Sequence, residues 1–123
     1  MNNDAFKSWL DGYGRAWEAR DPKAAADLFT EGATYQETPF IEPVRGRPAI
    51  QEYWREATQS QDQVRFGYEI LSVTEDLGIA RWWVSLNTTP TQTPFKMDGI
   101  FVVLMADGNR CQEFREWWHG QAG

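Results

Sequence analysis

Glu37 is the first residue of this sequence whose type and setting suggest chemistry. It lies in the stretch Ala33–Gly46, ATYQETPFIEPVRG, which predicts a strand ending at Pro39 and a turn that leads into a helix. Tyr35 shares a strand face with Glu37, because side chains alternate along a strand. On a concave, water-poor face Glu37 is a usable general base, whereas on an open face it is a solvated strand-end carboxylate.

Asp98 interrupts an apolar pattern in the segment FKMDGIFVVLMA. Alternation places it on one face with Ile100, Val102 and Leu104. Burial of an unpaired carboxylate is costly, so such a residue is paired, neutral or at the open end of a pocket. The pattern therefore favours a pocket carboxyl, and the alternative is a sheet-edge aspartate satisfied by Lys96 or by an arginine.

Tyr13 is the third candidate, a hydroxyl donor on the apolar stripe of the first predicted helix. An aromatic residue at such a position is most often part of the core, but a buried hydroxyl still needs a hydrogen-bond partner. The helix is predicted over residues 4–20 by apolar side chains at spacings of three and four, namely Phe6, Trp9, Leu10, Tyr13, Ala16 and Trp17.

Two more helices follow from local signals. Asp21-Pro22 combines a capping acceptor with a proline suited to the first helical turn, which predicts a short helix up to Phe29. Pro48 opens a third helix that runs to about Ser60. The polar segment Gln59–Gln63 is predicted to be a loop.

After residue 63 the pattern changes to alternation, which indicates four strands joined by hairpins: Val64–Glu75, Ile79–Thr89, Phe95–Ala106 and Arg110–His119. A strand of twelve residues spans about 40 Å, too long to lie flat over short helices. The sequence therefore predicts one α+β domain over residues 1–123, a cone-shaped, curved antiparallel sheet with three N-terminal helices on its concave face.

Composition excludes several classes of partner. The formal charge is −6 with no cluster of lysine and arginine, so neither nucleic acid nor an anionic membrane is expected to bind. No apolar run approaches the ~20 residues that span a bilayer, and residues 1–20 lack the apolar core of a signal peptide, so we expect a cytoplasmic protein. With Cys111 the only cysteine and His119 the only histidine, no disulfide and no metal site of these residues is expected.

The order of elements and several local segments resemble the nuclear transport factor 2-like superfamily. The segments are the aromatic first helix, Asp21–Phe29, the run EGATY at 31–35, the closing VRG at 44–46, and Ile50 to Trp54. That superfamily includes ketosteroid isomerases, SnoaL-like polyketide cyclases, limonene epoxide hydrolases and scytalone dehydratases. The resemblance covers nearly the whole chain and implies the cone-shaped fold.

The resemblance is greatest to the ketosteroid isomerases. It implies Tyr13 as an oxyanion-hole tyrosine, Glu37 as the catalytic base and Asp98 as a neutral acid that donates a second hydrogen bond. Glu37 stands where that family has aspartate, and Thr38 rather than proline follows it. Arg81 is a candidate for the arginine of epoxide-hydrolase-like chemistry, but alternation places it on the outer face.

Strand parity and the resemblance together predict which other residues line the cavity: Trp17, Tyr35, Trp54, Trp82, Val84, Ile100, Phe114, Glu116 and Trp118. The opposite parity leaves Trp83 and Trp117 on the outer face, which predicts a homodimer through that face. The alternative is that arginine stems cover both rings.

Three functions remain open at this point. The first is a cofactor-free enzyme that moves a proton next to a carbonyl of a small apolar substrate, as an isomerase or as a lyase or cyclase of the polyketide-cyclase type. The second is a hydrophobic binding domain without turnover. The third is a structural dimer whose cavity is filled by its own tryptophans. Fold alone does not choose between them.

Overall fold

The computed structural model describes residues 1–123 and contains three helices and six strands. The helices are α1 (Asn3–Glu18), α2 (Pro22–Ala26) and α3 (Arg47–Thr58). The strands are β1 (Phe29–Gln36), β2 (Val44–Arg45), β3 (Gln61–Thr74), β4 (Leu77–Thr88), β5 (Thr93–Ala106) and β6 (Arg110–Ala122). None of the helices has the length and the apolar run that crossing a bilayer requires.

Capping side chains start the first two helices. The Asn2 side chain accepts a hydrogen bond from the backbone N–H of Ala5 at 2.8 Å, and the Asp21 side chain accepts one from Ala24 at 3.1 Å. Each bond satisfies one of the N–H groups that a helix start leaves free. The third helix begins after Gly46, whose φ of +89° suits glycine, and carries proline in its first turn.

The six strands form one sheet in the order β2-β1-β6-β5-β4-β3. Strands β3 to β6 are joined as consecutive antiparallel hairpins, and β1 lies parallel to β6. The predicted α+β fold is confirmed. The sheet is mixed rather than wholly antiparallel. The reason is that β1, which follows the first two helices, pairs with β6 and runs in the same direction.

Several boundaries differ from the sequence prediction: β4 and β5 begin two residues earlier than predicted, and β6 ends three residues later. Phe29 begins β1 instead of ending the second helix, and the short strand β2 lies within the predicted turn. Gln61, predicted to lie in a loop, already belongs to β3, where it pairs with Thr88. These segments are polar or short, so their residue pattern does not indicate a strand. They become strands because a neighbouring strand is available for pairing.

Aromatic rings fill the space between the helices and the inner face of the sheet. The Tyr13 ring from α1 stacks on Phe114 of β6 with centroids 5.6 Å apart, and Trp82 stacks on Phe101 at 5.0 Å. All four side chains are buried. The interior of the cone is therefore a packed aromatic core that leaves room for only a small cavity.

Candidate active site

A cavity of about 80 Å³ remains between α1, α3 and the inner face of the sheet. Five of its eleven lining residues are aromatic, and carboxyl, hydroxyl and amide groups lie among the rings. It is lined by Tyr13, Trp17, Tyr35, Glu37, Tyr53, Trp54, Ala57, Thr58, Gln61, Met97 and Glu116. This mixture of apolar surface and a few convergent polar groups is typical of a small-molecule site.

The parallel pairing of β1 with β6 brings two carboxyl groups into this cavity. Tyr35 pairs with Phe114 and Gln36 with Arg115, so the next residues in register are Glu37 and Glu116. Both side chains line the cavity. Two strands separated by most of the chain thus present a pair of carboxyl groups side by side.

Glu116 is nearly inaccessible to solvent, with 5% of its surface exposed. Burial raises the pKa of its carboxyl group well above the ordinary value, and the negative charge of Glu37 raises it further. Removal of water disfavours the charged form, and a like charge nearby acts in the same direction. The pair therefore favours a neutral Glu116 beside Glu37.

Three tyrosines supply hydroxyl groups to the same cavity. The hydroxyl groups of Tyr13 and Tyr35 are hydrogen-bonded at 3.2 Å. Burial is the main cause that raises the pKa of both hydroxyl groups, and a negative charge on Glu116, once it ionises, raises them further. The pKa of Tyr53 is also raised, first by burial and then by the charge of Glu37. All three stay protonated and can donate hydrogen bonds.

The predicted cavity residues divide into three groups. Tyr13, Glu37, Trp17, Tyr35, Trp54 and Glu116 line the cavity. Trp82, Val84, Phe114 and Trp118 lie on the inner face but pack into the core or beside it, not against the cavity. Asp98 and Ile100 lie on the opposite face of the sheet.

The prediction that Asp98 faces the cavity is wrong. Its side chain is half exposed on the outer face, where the Arg81 guanidinium donates to both carboxylate oxygens at 3.2 and 2.5 Å. The pairing raises the pKa of Arg81. An aspartate held there cannot reach a ligand on the inner face, so the alternative of an arginine-satisfied carboxylate is the correct one.

The error extends to Ile100 and has a simple cause. Both faces of the second half of β5 are apolar, so alternation shows two stripes without saying which one the helices cover. The buried stripe is the one with Phe101, Val103 and Met105. The charges of Lys96 and Asp98 share the parity of Ile100, and this signal could have identified the outer face.

Sequence reasoning also missed five lining residues. Tyr53 and Ala57 lie on the apolar stripe of α3, and Thr58 follows them, so the helical pattern could have indicated them. Met97 has the buried parity of β5. Gln61 gave no signal, because its place depends on the indole N–H of Trp17, which donates to the Gln61 side-chain oxygen at 2.8 Å.

On the outer face, arginines stack on the two exposed tryptophans. The Arg81 guanidinium lies 4.8 Å from the ring centroid of Trp83, and that of Arg115 lies 5.7 Å from Trp117. This is the arrangement of arginine-covered rings that the sequence left as an alternative to a dimer interface. Across the whole molecule, no three His, Cys, Asp or Glu side chains gather closely enough to hold a metal ion.

Replacing Asp98 with asparagine is expected to have little effect, which would separate it from the cavity residues. An exposed ion pair contributes about 0–1 kcal/mol, so the free energy of unfolding in urea should fall by no more than that. Any activity of the protein should stay within about twofold of wild type, because the side chain lies on the far side of the sheet. A large loss of activity with unchanged stability would show that Asp98 takes part in the site.

Comparisons with known proteins agree with this fold. The family model described as the SnoaL-like domain matches residues 10–113. The search of curated proteins found no match. Among solved structures, the epoxide hydrolase/cyclase-like enzyme SalBIII, described with a role in pyran ring formation in polyether salinomycin, superimposes with a TM-score of 0.84 at 18% identity, over 100% of both chains.

A second similar structure is a hypothetical protein with a ketosteroid isomerase-like fold from Catenulispora acidiphila, solved with trimethylamine. It has a TM-score of 0.77 and 15% identity, and the match covers 89% of this chain and 83% of that one. At such identities the likeness establishes the fold, while the chemistry must be argued from the site.

Proposed function

The chain belongs to the SnoaL-like domain family, and from this premise we propose that it is a cofactor-free acid–base enzyme acting on a small, mostly apolar molecule. One observation carries the proposal. Glu37 and Glu116 line the same small aromatic cavity, and burial together with the charge of Glu37 raises the pKa of Glu116. A carboxylate beside a neutral carboxylic acid is a base beside a hydrogen-bond donor.

The reaction that suits this pair is proton transfer next to a carbonyl group. Glu37 removes a proton from the carbon, and the electron pair moves to the carbonyl oxygen to give an enolate. The hydroxyl of Tyr13 and the neutral carboxyl of Glu116 donate hydrogen bonds to that oxygen. Glu37 then returns the proton to another carbon in an isomerase. In a cyclase the enolate carbon attacks an aldehyde, and the alkoxide formed from the aldehyde oxygen takes the proton back from Glu37.

Glu116 replaces Asp98 in this scheme as the acid of the oxyanion hole. Glu116 lines the cavity and is nearly inaccessible to solvent, whereas Asp98 is half exposed and paired with Arg81. The tyrosines suit their role because a raised pKa keeps the hydroxyl proton in place as a donor. The site residues of the proposal are thus Tyr13, Glu37 and Glu116, supported by Tyr35 and Tyr53.

The volume of the cavity limits the size of the substrate. About 80 Å³ has room for about five water-sized groups, so it accepts a small ring or the reacting end of a longer molecule. Trp17 and Trp54 provide flat apolar walls. A compact cyclic or unsaturated ketone fits these limits better than a steroid.

The same pair supports a second candidate reaction, opening of an epoxide. Glu116 would donate its proton to the epoxide oxygen as the C–O bond breaks, while Glu37 takes the proton from the attacking hydroxyl group. The specific observation is again the neutral acid beside a carboxylate. The third candidate, a binding domain without turnover, uses the same cavity and differs only in having no need of Glu37 as a base.

The homodimer through the outer face stays a proposal. Aliphatic side chains of β4 and β5 lie next to Trp117 and form an apolar strip that a second copy could cover. They are Ile79, Ile100, Val102 and Leu104. The arginines stacked on Trp83 and Trp117 already cover part of both rings, which reduces the need for such a partner.

Binding of substituted phenols of graded acidity tests the oxyanion hole without knowledge of the substrate, because a phenolate resembles an enolate oxygen. Calorimetry should show affinity that rises as the phenol becomes more acidic. Tyr13→Phe should weaken binding of the most acidic phenol by about tenfold, the value of one hydrogen bond to a charged oxygen. Tyr68→Phe is the matched control, since Tyr68 donates to Asp11 outside the cavity. If the affinity depends neither on the acidity of the phenol nor on the hydroxyl group of Tyr13, the oxyanion hole is refuted.

A further inference from the structure

A second, larger concavity opens on the outer face of the sheet. It has a volume of about 630 Å³, against about 80 Å³ for the aromatic cavity. Its polar lining residues come from two rows that cross the strands. One row is Arg65, Ser85, Lys96 and Gln121, and the other is Trp83, Asp98 and His119. The row Phe66, Val84, Met97 and Gly120 also lines the concavity, and Met97 lines the aromatic cavity as well. We call this concavity the outer groove.

The first row carries two cations without an ion-pair partner. Arg65 and Lys96 flank Ser85 on its two neighbouring strands, so their Cα atoms lie about 10 Å apart. Neither takes part in any of the ion pairs of the protein. The chain as a whole has a net charge of −6, so these two side chains form a local excess of positive charge. The hydroxyl group of Ser85 lies between them as a hydrogen-bond donor.

The single acidic residue in the groove does not cancel that charge. Asp98 is held by the Arg81 guanidinium through two hydrogen bonds, so its charge is already compensated. The net charge presented by the groove is therefore positive. An anion placed over Ser85 would lie within reach of both the guanidinium of Arg65 and the ammonium of Lys96.

The second row supplies a fixed aromatic surface. The Trp83 indole lies against Gly67, where an added Cβ would come within 2.4 Å of Nε1. Arg81 stacks on the same ring but does not line the groove. The ring is thus held in place, and in the single chain its exposed part, 38% of the residue, is available to the groove. A homodimer that covered Trp83 would compete with a ligand for this surface.

From this juxtaposition we propose that the outer groove binds a small aromatic carboxylate, with the carboxylate between Arg65 and Lys96 and the ring on Trp83. Ser85 and Trp83 are two residues apart on one strand, about 7 Å, which a two-ring carboxylate spans. Charge complementarity selects the anion, and the exposed indole selects a flat ring. The groove shares Met97 with the inner cavity, but the proposed carboxylate site uses none of the residues assigned to the proposed reaction.

Calorimetric titration with 2-naphthoate and with its neutral isostere 2-naphthamide tests the proposal. Naphthoate should bind, and naphthamide should bind at least tenfold more weakly, because only the anion pairs with the two cations. The double variant Arg65→Gln/Lys96→Gln should weaken naphthoate binding at least tenfold, and Trp83→Leu about fivefold. Higher salt should weaken binding to the wild type and have little effect on the double variant.

Two control variants assign the binding to the groove. Lys23→Gln removes one positive charge from an exposed position on α2 and should leave the affinity within twofold. Glu37→Gln alters the inner cavity and should also leave it unchanged. The proposal is overturned if naphthoate does not bind at millimolar concentration, if naphthamide binds equally well, or if the double variant binds like wild type. A change caused by Glu37→Gln would place the ligand in the inner cavity instead.

Discussion

Replacing Glu37 with glutamine is expected to slow proton removal by about 10²–10⁴-fold, the usual contribution of a positioned general base. Glutamine has nearly the same shape, so the aromatic wall around it should remain packed. It cannot accept the proton. The measurement is loss of deuterium from small ketones labelled next to the carbonyl, followed by NMR against a buffer blank, which needs no knowledge of the natural substrate.

Two further variants make this result specific. Glu37→Asp keeps the carboxylate but withdraws it by one methylene, so it should recover part of the rate. Glu42→Gln removes the same charge from an exposed position in the loop that follows β1 and should leave the rate unchanged. If the wild type exchanges deuterium and Glu37→Gln does so equally fast, Glu37 is not the base. If no ketone exchanges but phenols bind as expected, the binding domain becomes the better description.

Replacing Glu116 with glutamine is expected to stabilise the protein at neutral pH and to have little effect in acid. The folded protein raises the pKa of Glu116 through burial and the charge of Glu37. Its contribution to stability is therefore fully present below the ordinary pKa of about 4.5 and is lost as the pH rises towards the folded-state value. The gain should grow from pH 4.5 upwards by at most about 1.4 kcal/mol for each pH unit, until the pH passes the folded-state pKa of Glu116.

Urea unfolding of both proteins between pH 4 and pH 8 measures this difference. The free energies of unfolding should coincide near pH 4 and diverge as the pH rises. Glu113→Gln is the control on the same strand, because Glu113 is exposed and pairs with Arg115, so its effect should be small at every pH. A difference that does not change with pH would show that Glu116 is not held neutral by its surroundings.

Greater stability together with slower reaction would be informative about Glu116. Functional groups often lower the stability of a fold, so a variant that gains stability and loses rate points to a functional group. Lower rates of deuterium loss in Glu116→Gln, alongside its higher stability, would support its place in the oxyanion hole. The same variant should leave 2-naphthoate binding in the outer groove unchanged.

Local sequence patterns predicted the helices and the hairpin strands, and together with the family resemblance they predicted most of the inner face of the sheet. Apolar residues at spacings of three and four define α1 and α3, and strict alternation defines β4, where Trp82, Val84 and Leu86 are buried as predicted. These signals are local, so they persist without knowledge of the fold. Strand parity together with the family resemblance placed Glu116 and Trp118 on the inner face of β6.

Which carboxyl groups meet depends on the long-range pairing of the strands. Glu37 and Glu116 become neighbours because β1 pairs in parallel with β6, a contact across about 80 residues that no local pattern encodes. The prediction that Asp98 faces the cavity failed because both faces of the second half of β5 are apolar. The helices cover the face with Phe101, and Asp98 lies on the other face. A pattern of period two shows that a strand has two faces, but the element packed against it determines which face is buried and which groups share a cavity.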